Sequence, residues 1–286
     1  MPPKLPVSLS VLLPTSLVAD ASNLQHKTIK VGLIGRAFAI FRVDNVILYN
    51  DDDPKTKNQA AEAKLIATLL RYIETPQYLR KLLFPRERNL RYAGLLPPLR
   101  TPHHPLSDER TRLGEHREAV VIRTDKHGST LEMGLPEMGV TSEKFNVGQR
   151  LTVRLGERLD RNCIAVTHAA REQIDEYWGY ETSLTKNLAD ALKYSKADYI
   201  VGTSRHGKNL YEAVRGIESS NPMRVAVAFG GPYAGLLEIC ERQGVDAKEF
   251  FDIVTNTIPQ QGTATVRTEE ALVVTLGLLN ALLWGK

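Results

Sequence analysis

Three segments of this 286-residue chain carry the residue types from which a small-molecule site can be built. Gly202-Thr203-Ser204-Arg205-His206-Gly207, Gly230-Gly231-Pro232 and the stretch from Asn256 to Arg267 each follow a short apolar run and precede a helical pattern. Glycine lets main-chain N–H and C=O groups come close to a ligand because no Cβ intervenes. In open α/β sheets ligands lie beyond the carboxyl ends of the strands, where such loops sit. Any one of these loops alone reads as an ordinary strand-to-helix turn. Neither G-x-G-x-x-G nor G-x-x-x-x-G-K-[ST] occurs, so the usual phosphate cradles of dinucleotide and P-loop proteins are missing.

Other reactive residue types are sparse. Histidine ordinarily titrates near neutrality, which makes His206 the obvious proton acceptor, but a lone loop histidine reads first as solvated. His103 and His104 are adjacent, project differently and have no evident third ligand, so no metal is expected. Cys163 and Cys240 lie far apart without a C-x-x-C, so neither a zinc cage nor a disulfide framework is indicated and a reducing compartment fits best. Cys240 shares an amphipathic helix with Leu236, Leu237 and Ile239 and reads as a small core residue.

Charge is concentrated in one place. Between Arg71 and Arg100 seven Lys or Arg stand against two Glu, a net +5, with Tyr72, Tyr78, Phe84 and Tyr92 interleaved. That is the pattern of a surface that tracks a nucleic-acid backbone and stacks bases, and equally of a solvated helix with core aromatics. Over the whole chain, 37 Lys plus Arg and 33 Asp plus Glu leave +4 and a pI near 9.0, which permits an anionic partner without requiring one. With 42% apolar and 24% charged residues the composition is that of a globular protein of one or two domains. The apolar stretch from Ala271 to Trp284 is interrupted by Thr275, Gly277 and Asn280 and is too short to span a bilayer.

The elements that must position these loops follow from periodicity. Val7, Leu9, Val11 and Leu13 alternate with Ser8, Ser10 and Leu12, predicting a strand over 7–13 with one face more buried. Asp20 or Ser22 caps a following helix with Leu24, Thr28, Val31 and Ile34 or Gly35 on one face; a strand at 46–48 and a helix over 56–73 come next. Pro97, Pro98, Pro102 and Pro105 then mark a boundary. Beyond it, β-like runs at 119–123, 130–134, 151–155 and 164–167, separated by turn signals, predict a small OB-like barrel. Residues 105–180 carry −2, so the barrel is not the basic part. After Tyr180, apolar runs at 199–201, 225–229 and 251–254 alternate with helical patterns, as in a parallel α/β sheet. The last helix begins near Thr268, its expected N-cap, and buries Leu272, Leu276, Leu279 and Leu283.

Taken with the rest of the chain, the segment Asn256-Thr257-Ile258-Pro259-Gln260-Gln261-Gly262-Thr263 through Glu270 resembles the SPOUT class of RNA methyltransferases, specifically its RNA uridine N3-methyltransferase family with an inserted OB-like domain. The resemblance also runs through Ser8 to Pro14, Arg36-Ala37-Phe38-Ala39-Ile40-Phe41, Pro76 to Lys81, Pro102-His103-His104, Tyr177-Trp178-Gly179-Tyr180, Gly202-Thr203-Ser204 and Gly230-Gly231.

The resemblance implies an α/β trefoil-knot methyltransferase domain built from residues 1–104 and 181–286, with a barrel at 105–180 inserted between them. It implies S-adenosylmethionine held by Gly202, Thr203, Phe229, Gly230, Gly231, Asn256, Thr257, Ile258, Pro259, Gln261, Gly262 and Thr263, with Ala271 on the adenine side. It further implies an RNA substrate, rRNA or tRNA with large-subunit rRNA favoured, and a homodimer in which each site borrows residues from its partner. Methylation at N3 needs groups that stabilise a uracil anion: Arg36 and Arg267 are expected there, with Thr203 and Ser204 as hydrogen-bonding groups. Either arginine could instead contact phosphate or form an ion pair. Arg80, Lys81, Arg86 and Arg88 are the expected RNA-binding cations. Neither metal nor membrane is expected, and the expected location is the cytoplasm, or the nucleus or nucleolus in a eukaryote. The competing expectation is a non-catalytic RNA- or ribosome-binding protein on the same scaffold.

Overall fold

The computed structural model describes residues 3–105 and 112–285; residues 106–111, at the start of the expected insert, lie outside the described residues. Along the chain run β1 (Ser8–Pro14), β2 (Asn45–Tyr49), β3 (His116–Asp125), β4 (Gly128–Glu132), β5 (Met138–Thr141), β6 (Arg150–Arg158), β7 (Cys163–His168), β8 (Glu181–Thr185), β9 (Tyr199–Asn209), β10 (Arg224–Ala228) and β11 (Ile253–Asn256). The helices are α1 (Leu24–Ile40), α2 (Gln59–Glu74), α3 (Gln77–Leu83), α4 (Leu188–Ser195), α5 (Leu210–Ser220), α6 (Leu236–Gln243), α7 (Ala247–Phe250) and α8 (Thr268–Leu283). Two compact units result: Leu5–Ile73, Asn89–Pro98 and Gly179–Lys286 form one, and Met1–Lys4, Glu74–Arg88 and Leu99–Trp178 the other.

The first unit is an α/β sheet of six parallel strands in the order β11-β9-β10-β1-β2-β8. β1 sits centrally, paired with β10 on one side and β2 on the other, and Leu9, Val11, Leu12 and Leu13 are all fully buried. Its alternation therefore does not mark a half-exposed strand. Helices cover both faces of a parallel sheet, so both sets of side chains enter a core, and even Ser10 is buried. The hydrophobic cluster on one face joins Leu12, Ile47, Leu192, Ala228, Leu236, Ile239 and Cys240. Burial pushes the Cys240 thiol up to about 11, consistent with a packing role.

Three local expectations change in this unit. The cap of α1 is Asn23, whose side chain accepts the His26 N–H at 2.9 Å, rather than Asp20 or Ser22. The cap of α8 is Arg267, one residue before Thr268; the Glu270 carboxylate accepts the Arg267 N–H at 2.9 Å. The segment 202–207 is not a simple loop, because β9 continues through it to Asn209. Pairing to β11 nevertheless jumps from Gly202↔Val254 to Lys208↔Thr255, so Thr203 to Gly207 form an excursion outside the ladder register with β11. The return of the excursion presses backbone on backbone: a Cβ on Gly207 would lie 2.4 Å from the Thr255 carbonyl carbon.

The second unit holds a closed five-stranded barrel in the order β3-β4-β5-β7-β6, closed by the β3–β6 pair. All its pairs are antiparallel except β5–β7. Period-two alternation fills the interior with Ala119 and Val121, Leu151, Val153 and Leu155, and Ile164 and Val166, as the sequence pattern predicts. β5, which the pattern did not reveal, supplies the parallel pairing. Beneath the barrel Glu74 and Glu118 are almost fully buried and share Arg150, which also contacts both through hydrogen bonds. Thr152 and the Trp178 indole donate to Glu118 at 2.5 and 2.7 Å. His103 and His104 both donate from Nε2 to the Glu74 carbonyl, at 3.0 and 2.7 Å. Among the described residues no group of three or more His, Cys, Asp or Glu is placed to hold a metal, and no helix is long and apolar enough to cross a membrane.

Candidate functional site

The pocket lies within the α/β unit, beside the excursion of β9 and beyond the carboxyl ends of β10 and β11. Three segments build it: the excursion Thr203–Gly207, the turn Gly230–Gly235 leading into α6, and the crossing from Asn256 to Thr268. These are the three glycine-bearing segments singled out in the sequence. The cavity measures about 290 Å³, at the lower end of the size that holds a small organic ligand (roughly 300–1,000 Å³).

The turn after β10 is fixed from below. The Tyr49 hydroxyl at the end of β2 donates to the Phe229 carbonyl at 2.6 Å, and burial raises its pKa well above the ordinary tyrosine value. Gly231 N–H donates to Ala234 O at 2.9 Å, closing the turn. At Gly230 the backbone passes so close to α6 that a Cβ would lie 2.5 Å from the Leu236 nitrogen. Behind Gly231 sits buried Asp51, which accepts from Ser16 Oγ at 2.7 Å and Gln59 Nε2 at 3.0 Å; burial raises its pKa.

The crossing segment is tied to both other walls. Asn256 Nδ2 donates to Arg205 O at 2.9 Å while its Oδ1 accepts the Ile258 N–H at 2.9 Å. Thr268 Oγ1 donates to Gly230 O at 3.0 Å, bringing the start of α8 onto the β10 turn. Gln261 folds the segment on itself by donating to Thr263 O at 2.9 Å.

Of the expected cofactor residues, Thr203, Gly230, Gly231, Asn256, Thr257, Ile258, Gln261 and Ala271 line the pocket. Gly202 and Phe229 are buried behind it, and Pro259, Gly262 and Thr263 are not among the lining residues. Of the expected catalytic residues, Ser204 and Thr203 face the cavity, although the Thr203 hydroxyl donates to Ala228 O at 2.9 Å. Arg36 and Arg267 do not line it. Arg36 donates to Pro98 O at 3.0 Å from the middle of α1, and Arg267 is exposed at the mouth of α8.

The lining also holds Arg205, His206 and the Pro232–Glu238 wall, none of which was among the expected cofactor or catalytic residues; Arg205 and His206 are exposed, in keeping with a solvated loop histidine. The excursion carries Arg205 and His206 into the lining, and its length depends on a register with β11 that local sequence does not display. In the second unit, Lys81, Arg86 and Arg88 are exposed, whereas Arg80 is half-buried and donates to Thr75 O at 2.8 Å. Tyr78 is no free stacking platform: its hydroxyl donates to Glu118 O at 2.9 Å and its ring lies under Arg117.

Residues 8–279 match the family model described as "Putative RNA methyltransferase". A human protein named 28S rRNA (uridine-N(3))-methyltransferase is 33% identical over 96% of this chain and 78% of its own length. Its mouse counterpart, of the same name, is 33% identical over 96% of this chain and 76% of its own length. An uncharacterized protein of Halobacterium salinarum is 35% identical over 95% of this chain and 98% of its own length. A family model matched across both compact units, together with relatives matched over nearly the whole chain, places the chain in this family of RNA methyltransferases.

Proposed function

We propose that this chain methylates N3 of a uridine in structured RNA, with large-subunit rRNA as the substrate class, using S-adenosylmethionine held in the pocket beside the β9 excursion and beyond β10 and β11. The observation that carries the reading is the convergence of the three glycine-bearing segments on one cavity in a chain of an RNA methyltransferase family. The lining suits the donor. Leu236, Leu237, Ile258, Val266 and Ala271 offer an aliphatic surface for an adenosine, and Ser204, Arg205 and His206 stand at its polar edge. When bound, the sulfonium supplies an already activated methyl group. What remains for the protein is alignment of the base, exclusion of water and help in losing the N3 proton.

A knotted C-terminus is part of the proposal. It is supported by the way the chain leaves edge strand β11 and returns across the β10 turn, where Thr268 bonds to Gly230. The inserted barrel, read as residues 105–180 between 1–104 and 181–286, is proposed to be OB-like. Its strand order, with a single parallel pair between its third and fifth strands, supports this.

A homodimer completes the reading. Ile29, Leu33 and Ile40 of α1 are exposed at 39%, 56% and 55% and share a helix face with Arg36. An interface on that face puts Arg36 at a partner's surface, which reconciles its proposed role near the base with its absence from its own pocket. We therefore place the interface on this face of α1. Incubating the protein with unmodified large-subunit rRNA and methyl-labelled S-adenosylmethionine, followed by nucleoside mass spectrometry, tests the reading: labelled 3-methyluridine supports it, and RNA binding with no methylated nucleoside supports the non-catalytic alternative.

A further inference from the structure

We propose that Arg205 and His206 act as one hydrogen-bonding unit that receives the carbonyl oxygens of the target uracil and stabilises its N3 anion; this rests on the uridine reading above. Both residues line the pocket and lie on the excursion of β9, outside its ladder with β11. Arg205 Nε–H donates to His206 Nε2 at 3.1 Å. A guanidinium only donates, so Nε2 carries no proton and a neutral imidazole bears its single proton on Nδ1. The pair thus offers the guanidinium donors, one imidazole N–H and a positive charge from two adjacent residues.

The main chain beneath the pair is fixed at both ends. Asn256 Nδ2 holds Arg205 O at 2.9 Å, and the His206 N–H donates to Ser204 Oγ at 3.2 Å. The other ionisable side chains of the lining are committed elsewhere: the Glu238 carboxylate accepts the Gly235 N–H at 3.0 Å, and the Tyr233 hydroxyl donates to Ala19 O at 3.3 Å. Among the described lining residues Arg205 is the one guanidinium or ammonium group.

The chemistry asks for such a unit. The N3–H bond breaks and its proton leaves to solvent, spreading negative charge over O2, N3 and O4. The N3 electron pair then forms the bond to the methyl carbon while the carbon–sulfur bond breaks and its pair stays on sulfur. The positive charge of the sulfonium is thereby balanced by the released proton. Donors placed in advance at O2 or O4 act where charge develops, and removing one from such a site typically costs roughly a hundredfold in rate.

The test compares wild type, Arg205→Met, Arg205→Lys and His206→Phe on large-subunit rRNA transcribed with uridine or with 5-fluorouridine. Fluorine at C5 makes N3–H more acidic, so an enzyme lacking the stabilising pair regains rate on that RNA. The expected result is a drop of roughly a hundredfold for Arg205→Met on the uridine transcript, at least tenfold smaller on the 5-fluorouridine transcript, and partial recovery in Arg205→Lys. His206→Phe shows a smaller deficit with the same rescue. Affinity for S-adenosylhomocysteine, measured by calorimetry, stays at the wild-type value in all variants, which separates a role toward the base from one in folding or donor binding. Equal deficits on the two transcripts, or loss of S-adenosylhomocysteine affinity in step with rate, overturn the assignment. No 3-methyluridine from wild type overturns the uridine reading itself, and the assignment with it.

Discussion

The side-chain amide of Asn256 spans from Arg205 O, at 2.9 Å, to the Ile258 N–H, at 2.9 Å, and so couples the excursion of β9 to the segment that leaves β11. Two of the three pocket walls thereby move together. Asn256→Ala removes both bonds; at about 1 kcal/mol for each, a loss of about 2 kcal/mol of stability is expected. S-adenosylhomocysteine affinity falls by more than the stability loss explains, because the walls no longer hold their spacing. Urea unfolding and calorimetry on the same variant check the two effects.

The third wall depends on Tyr49. Tyr49→Phe leaves the buried Phe229 carbonyl without its 2.6 Å donor, at an expected cost of about 1–3 kcal/mol. The volume change is small, so the loss reads out the hydrogen bond. A shift in the urea midpoint at constant slope is the predicted signature.

The barrel unit is expected to be sensitive to acid. Burial alone would raise the Glu74 pKa, but Arg150, His103 and Arg171 hold the carboxyl far below the usual carboxylate range. His104 is pushed down to about 3 by burial and by neighbouring His103. Both groups are depressed in the folded state, so the unfolded chain binds more protons and stability falls as pH falls. For His104 the loss begins near its ordinary value of 6.5 and continues toward about 3; the Glu74 loss sets in lower, through the carboxylate range. Urea midpoints taken from pH 7.5 to 5.5 should decline in wild type and decline less in His104→Gln.

Lys81, Arg86 and Arg88 are exposed and are the proposed RNA-attracting cations. Replacing the three with Ala is predicted to weaken RNA binding and reduce the slope of log affinity against log salt by about 1 for each lost phosphate contact. Arg80 is left in place because its guanidinium holds Thr75 O, so its removal mixes folding with binding. Filter binding across a salt series decides this. An unchanged slope removes this segment from the RNA surface.

The α1 stripe predicts the oligomeric state. Leu33→Glu places a charge on an exposed residue, so the fold is expected to persist while a dimer of the 31.9 kDa chain falls apart. Sedimentation of wild type as a single monomer contradicts the assignment directly.

The sequence showed most where periodicity meets burial. Four of the five barrel strands were legible, β6 most clearly because Leu151, Val153 and Leu155 alternate strictly with polar residues, whereas β5 was not. α8 was legible because Leu272, Leu276 and Leu279 fall on one buried face, although Leu283, expected there too, lies at the helix end and is only half-buried. The face of α1 named from spacing, with Thr28, Val31, Ile34 and Gly35, is the one buried, while Ile29, Leu33 and Ile40 leave a second apolar face exposed that the spacing did not reveal. β8 is short and polar, Glu181-Thr182-Ser183-Leu184-Thr185, and becomes a strand through pairing with β2. Asp20, Ser22 and Asn23 are all good capping residues within four positions, and tertiary context chooses Asn23. The three pocket segments were visible through their glycines, whereas the entry of Arg205 and His206 depends on a register between β9 and β11 that neither strand encodes alone.

The cavity walled by Thr203–His206, Gly230–Gly235 and Asn256–Thr268 is the proposed seat of the methyl donor. Ala271 lines that cavity, and Ala271→Phe fills it from the α8 side. Titrating S-adenosylhomocysteine into both proteins by calorimetry is the most direct measurement. Saturable heat with wild type and none with Ala271→Phe, at matched melting temperatures, is the predicted result; equal binding by the two proteins, or no heat from wild type at millimolar ligand, contradicts it.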